Sequence, residues 1–141
     1  KDSTPRENSQ IGSALWNGDA IEIAFSTNMK ANSKRNFLLL SDQHIGVNCG
    51  PSPYFWNWKT NEKINLTNFK IKNLTNGYIV EFALPYRTFR NFSPKQGNKF
   101  DFEVAIDCGE QNLRLKQERW NSEDTEGFHQ SPSLWGEINF K

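Results

Sequence analysis

Chemistry-bearing residues are scarce in this chain. Its 141 residues include two cysteines, two histidines and one methionine. Neither Cys49 nor Cys108 belongs to a CxxC pair, and His44 and His129 are too scattered to complete a zinc site. A b-type haem needs a placed axial pair, and nothing in the positions of Met29, His44 and His129 suggests one. Ser41 and Ser131 sit in no nucleophile elbow. No acidic pair shows a spacing that would fix a glycoside-cleaving geometry. Charge of one sign is also missing: 17 Lys and Arg against 16 Asp and Glu leave +1. That balance gives no electrostatic case for nucleic acid or for an anionic membrane. No stretch approaches the ~20 apolar residues of a spanning helix, and no secretory apolar segment opens the sequence. These absences argue against an enzyme and leave a binding or structural role.

What the chain does have is aromatic residues, 13% of the total, with 11 Phe and five Trp. A mean hydropathy of −0.77 would suit a disordered chain, but disorder usually pairs it with high net charge, which is absent. The length fits one domain with a real core.

Alternation of period two dominates. Ala20–Phe25 sets Ile21, Ile23 and Phe25 on one face and Glu22 on the other. Phe37–Leu40 is a short apolar run, and Tyr54–Trp58 an aromatic strand candidate. Phe69–Lys72 and Tyr78–Leu84 flank Asn76-Gly77, a strong hairpin signal. Phe100–Asp107 puts Phe100, Phe102, Val104 and Ile106 inward, with Asp101, Glu103 and Asp107 outward. Leu113–Trp120 and Glu137–Phe140 complete the set, and Pro85–Phe89 offers one helical turn with proline at its start. The pattern predicts an all-β antiparallel sandwich, jelly-roll or immunoglobulin-like, over residues 16–141, preceded by a polar tail or loop over residues 1–15.

The tryptophans suggest a ligand. Trp16 lies six residues before Glu22, and Gln117 and Arg119 lie just before Trp120. An indole beside fixed donors and acceptors matches a sugar ring, whose C–H face stacks while its rim hydroxyls need partners. On strand parity Trp120 goes with Arg114, Lys116 and Glu118, away from the core. Tyr54, Trp56 and Trp58 share one face and offer a second aromatic platform, or else a core or interdomain stripe.

Three segments make a resemblance specific. They are Trp16-Asn-Gly-Asp-Ala-Ile-Glu-Ile23, Gly77-Tyr-Ile-Val-Glu-Phe-Ala-Leu-Pro85, and Phe100–Asp107 followed by an arginine, Trp120 and Trp135-Gly-Glu-Ile138. In that order they resemble the family 9 carbohydrate-binding modules of the DOMON-like sandwich group. The resemblance implies a non-catalytic module of an exported glycan-degrading or glycan-capturing protein, such as the accessory domain of a glycoside hydrolase. It implies oligosaccharide or polysaccharide as partner, with a sugar held between two tryptophans, here Trp16 and Trp120. Glu22 supplies the carboxylate, Gln117 a polar contact, and Gln43, His44 or Arg119 a remaining basic one. No cofactor is required, although structural calcium occurs in such relatives, and carboxylates near Asp107 and Glu123-Asp124 are the oxygen ligands to consider. Family members begin with strands ahead of the Trp-x-x-Asp motif that fifteen loop-like residues do not supply. The alternative is therefore a structural accessory domain that packs against an enzyme or receptor, or against other domains of its parent, without its own ligand.

Overall fold

A computed structural model describes residues 6–86, 89, 92–122 and 127–141. It is an antiparallel β-sandwich with unequal layers. A 3₁₀ turn, η1 (Gly12–Asn17), leads into β1 (Ala20–Ser26), β2 (Asp42–Asn48), β3 (Tyr54–Asn57) and the short β4 (Glu62–Lys63). The chain continues through β5 (Phe69–Leu74), β6 (Gly77–Phe82), β7 (Lys99–Glu110), β8 (Leu113–Arg119) and β9 (Gly136–Asn139). The large sheet runs β4-β3-β2-β1-β7, with β8 and β9 sharing the far side of β7. β8 pairs with the C-terminal half of β7 and β9 with its N-terminal half. The second layer is the β5–β6 hairpin alone.

Local chemistry explains the turns. Gln111 and Asn112 both take positive φ between β7 and β8, the backbone that a two-residue hairpin loop requires. Gly77, with φ 146°, opens β6 as the Asn-Gly signal predicts. β2 was not legible as a strand, because one face carries Asp42, His44, Gly46 and Asn48 and the other offers only Ile45 and Val47 beside Gln43, too few apolar residues to stand out. The Phe37–Leu40 run is instead part of the loop before it. Arg87 and Thr88 of the Pro85–Phe89 turn lie outside the described residues.

The hairpin covers only part of the sheet. Tyr78, Val80 and Phe82 pack, together with Ile21, on Val47, Cys49 and Phe55. Farther along, Phe25, Ile45 and Phe100 form a cluster with Phe89, Phe92 and Phe140. Beyond these clusters the face is open: Ile106 is 41% and Trp120 56% exposed.

The opposite face reverses the expectation that its acids point to solvent. Glu22 is 3% exposed, and Glu103 and Asp107 are fully buried. Small residues make room for the cover. Ala24 and Ala105 let Phe128 and Trp135 close down on the strands, and the Trp135 indole N–H donates to the Phe128 carbonyl at 2.6 Å. Buried carboxylates survive here because each finds donors. Glu103 accepts backbone N–H groups from Val104, Trp120, Asn121 and Ser122 at 2.9–3.1 Å. Asp42 accepts from Arg35 at 2.6 Å and from the Leu39 N–H at 2.7 Å.

Residues 6–15 are loop and 3₁₀ turn, but they are tied to the sheet. Leu15 is buried in the core, and the Asn8 side-chain amide donates to the carbonyls of Leu15 and Asp19.

Candidate functional site

A cavity of about 510 Å³ opens on the polar face, lined by Trp16, Glu22, His44, Trp58, Gln117 and Arg119 with Ser13, Arg114, Gly127, Phe128 and His129. The sheet supplies Glu22 from β1, His44 from β2, and Arg114, Gln117 and Arg119 from β8. η1 supplies Trp16, and the segment before the 3₁₀ turn Pro132–Leu134 supplies Phe128 and His129. A larger groove of about 950 Å³, lined by residues such as Thr27, Leu39, Leu40 and Lys99, presents no aromatic ring.

The aromatic walls are held in place from behind. Trp58 stacks on His44 with centroids 4.3 Å apart and planes at 21°, and its indole N–H donates to the Ser13 carbonyl at 3.0 Å. Gly46 makes this possible, because a Cβ there would lie 2.3 Å from the Trp58 ring. His129 stacks on the same imidazole at 5.7 Å, and Phe128 meets it edge-on at 5.8 Å. Across the cavity the Arg114 guanidinium lies 4.7 Å from the Trp16 ring centroid, an attractive arrangement for a cation over an indole.

The polar array is continuous. Arg119 donates Nε–H to Gln117 Oε1 at 2.8 Å, which turns the Gln117 amide nitrogen toward the acids. That nitrogen donates to Glu22 Oε1 at 2.9 Å and to Asp107 Oδ1 at 2.7 Å. Arg114 reaches Asp107 Oδ1 at 3.1 Å and Glu22 Oε1 at 3.6 Å. His44 Nε2 lies 2.6 Å from Glu22 Oε2. Burial lowers the imidazole to about 4, so His44 is neutral and donates Nε2–H to the carboxylate. Burial also raises Glu22, whose side chain hydrogen-bonds Asp107. Asp107 is pushed up to about 8, first by burial and then by the Glu22 charge beside it. Burial lowers His129 as well.

Of the residues singled out from sequence, the fold gathers Trp16, Glu22, Gln117 and Arg119 around this cavity, and Trp58 with them. Tyr54 and Trp56 stack on each other at 6.2 Å along β3, outside the lining. Gln43 accepts from the Asn57 amide instead. Trp120 does not join Trp16. It packs on Phe102 at 6.1 Å and lines a shallow depression with Val104, Ile106 and Ile138 on the other face. A bulge explains why parity misled: Cys108 pairs with Lys116 but Gly109 with Arg114, leaving Leu115 extra. Arg114 thereby shares a face with Gln117 and Arg119, while Glu118 and Trp120 fall on the apolar side. Asp107 is a strand residue beneath the cavity, not a loop ligand, and Glu123 and Asp124 lie outside the described residues. Among the described residues no cluster of three His, Cys, Asp or Glu side chains could hold a metal, and Cys49 and Cys108 are not joined in a disulfide.

The family model described as carbohydrate family 9 binding domain-like matches residues 1–141. The chain belongs to that family. It is a non-catalytic binding domain and not an enzyme. The fold is similar to that of a family 9 carbohydrate-binding module from Caldicellulosiruptor kristjanssonii, solved in complex with glucose (22% identity, TM-score 0.67) and with cellotriose (23%, 0.68). Each alignment covers 97% of this chain but only 65% and 64% of the solved ones, so the family 9 chain described here spans about two thirds of their length. No curated protein matches it. No helix among the described residues is long and apolar enough to cross a membrane.

Proposed function

We propose that this family 9 domain binds carbohydrate in the cavity between Trp16 and Trp58, as part of an exported protein that degrades or captures glycans. One observation carries the reading: two indoles and a buried, mutually oriented hydrogen-bonding array line a single cavity. A sugar ring stacks its C–H face on an indole, and Glu22, His44, Gln117 and Arg119 address its hydroxyls. Comparable stacking is worth ~1–3 kcal/mol per ring and each net hydrogen bond about 1 kcal/mol. Such a site binds in the micromolar to millimolar range. The preset orientation of Gln117 and His44 helps, because their ordering is complete before the ligand arrives. The reading requires no metal. Export follows from the family's usual setting.

Tryptophan fluorescence during titration with gluco-, xylo- and manno-oligosaccharides tests the proposal. A saturable change is expected, lost in Trp16→Ala and in Glu22→Gln but retained in Trp120→Ala. Loss of binding in a folded Trp120→Ala protein would return that residue to the site and displace this geometry.

The open apolar face favours an additional reading. Ile106, Trp120, Val104 and Ile138 form a strip that the β5–β6 hairpin does not reach, and contiguous exposed apolar surface marks a contact site. We infer that other parts of the parent protein cover it, and that the domain serves both as binder and as docked layer.

A further inference from the structure

The second acid beneath the cavity has no assigned part in sugar binding. Asp107 is fully buried and does not line the cavity, yet it holds two residues that do. Its Oδ1 accepts from Gln117 at 2.7 Å and from Arg114 at 3.1 Å. Its Oδ2 meets no donor among the described residues. The Glu22 carboxyl lies within hydrogen-bonding reach of the Asp107 side chain, and its Oε1 shares the Gln117 amide nitrogen with Asp107 Oδ1. Two buried carboxylates in contact, sharing one amide nitrogen, are mutually repulsive acceptors. A proton shared by the pair removes the second charge and supplies the donor that two facing carboxylates lack.

We propose that Asp107 is a positioning residue of the sugar site, and that the proton it shares with Glu22 is bound cooperatively with the sugar. The inference rests on the sugar-binding reading above. Its physical basis is desolvation: a sugar seated over Glu22 expels water from the cavity and makes a second buried charge costlier. Sugar therefore raises the pair's affinity for its proton, and by reciprocity the proton raises the affinity for sugar. The charged and titratable groups facing the pair are consistent with this. Arg114 and Arg119 on β8 favour one negative charge. His44 on β2 is neutral, and burial keeps His129 from charging readily. Asp19, just ahead of β1, is already held by the N–H groups of Glu7 and Gly109, and the Cys49 thiol after β2 is raised to about 12 by burial.

Glucose and cellotriose serve as probes. Calorimetry near pH 8 in buffers of different ionisation heat reads proton uptake directly, and titrations from pH 6.5 to 9.5 read the affinity. The wild-type protein should take up a fraction of one proton on binding. Its affinity should weaken about fivefold or more toward pH 9.5, the lower end of ordinary coupling. In Asp107→Asn that pH dependence should flatten, whatever its absolute affinity. Binding without proton uptake and with a flat wild-type profile overturns the linkage while leaving the sugar site standing. An Asp107→Asn profile that falls like the wild type assigns the proton elsewhere and also overturns it. No binding of either probe at any pH overturns the sugar reading, and the linkage with it.

Discussion

The two faces of the large sheet invert the usual arrangement. One carries Glu22, Glu103 and Asp107 and is closed over; the other carries Val104, Ile106 and Trp120 and is partly open. The contrast shows that burial follows available cover and donors, not hydropathy alone. The acids are inside because backbone N–H groups, arginines and Gln117 meet them. The apolar strip is outside because a two-stranded second layer does not extend over β7 and β8.

Substitutions on the two faces sharpen this contrast. The largest effect is expected for Glu103→Ala, which removes the acceptor shared by the N–H groups of Val104, Trp120, Asn121 and Ser122, of which Trp120 keeps the Val104 carbonyl at 2.9 Å. Each orphaned donor costs ~1–3 kcal/mol, so denaturant unfolding should show a loss of several kcal/mol or no folded protein. Next is Arg35→Met. The Arg35 guanidinium lies 2.6 Å from Asp42 and 3.3 Å from Asp101, and removing one partner of a buried pair typically costs about 3–5 kcal/mol. On the open face Trp120→Thr should change the unfolding free energy by less than about 1 kcal/mol, while reducing binding of a hydrophobic dye. If Trp120→Thr proved as damaging as Glu103→Ala, the supposed openness of that face would be wrong.

Acidity gives a subtler test of the closed face. His44 is lowered to about 4, so its neutral folded form adds stability as pH rises from about 4 to 6.5. Asp107 is raised to about 8, so its protonated folded form loses stability as pH rises from about 4 to 8. The two slopes oppose one another below 6.5, and only the falling one remains above it. Thermal unfolding should therefore show a broad plateau between pH 4.5 and 6.5, then a decline toward pH 8 that Asp107→Asn abolishes.

Much of this was legible from the sequence. Alternation located β1, β6 and β7, the Asn-Gly pair marked the hairpin, and the motif order led to Trp16, Glu22 and Gln117, with Arg119 a candidate by location. The faces were not legible, because alternation separates two sets of residues without saying which set is covered. His44 was one of three candidates by location, since only Ile45 and Val47 mark β2 as a strand. Trp58 was grouped with Tyr54 and Trp56 as a second platform or else a core or interdomain stripe, because its place in the cavity with Trp16 depends on Gly46 and on how η1 folds back. Phe128, His129 and Arg114 gave no local signal. The first two arrive on an irregular segment, and the third is turned by a bulge that a period-two reading skips.

That bulge gives the length of the β8 segment a meaning of its own. Leu115 acts as a phase shifter: on its N-terminal side the strand is read in one frame, on its C-terminal side in the other. Deleting this one exposed leucine removes the extra residue and lets Lys116 and Arg114 follow one another as Cys108 and Gly109 pair them, so Arg114 is expected to keep its place against Trp16. At this point the strand is expected to tolerate the loss of a residue that, in an unbulged ladder, would turn every side chain beyond it to the other face.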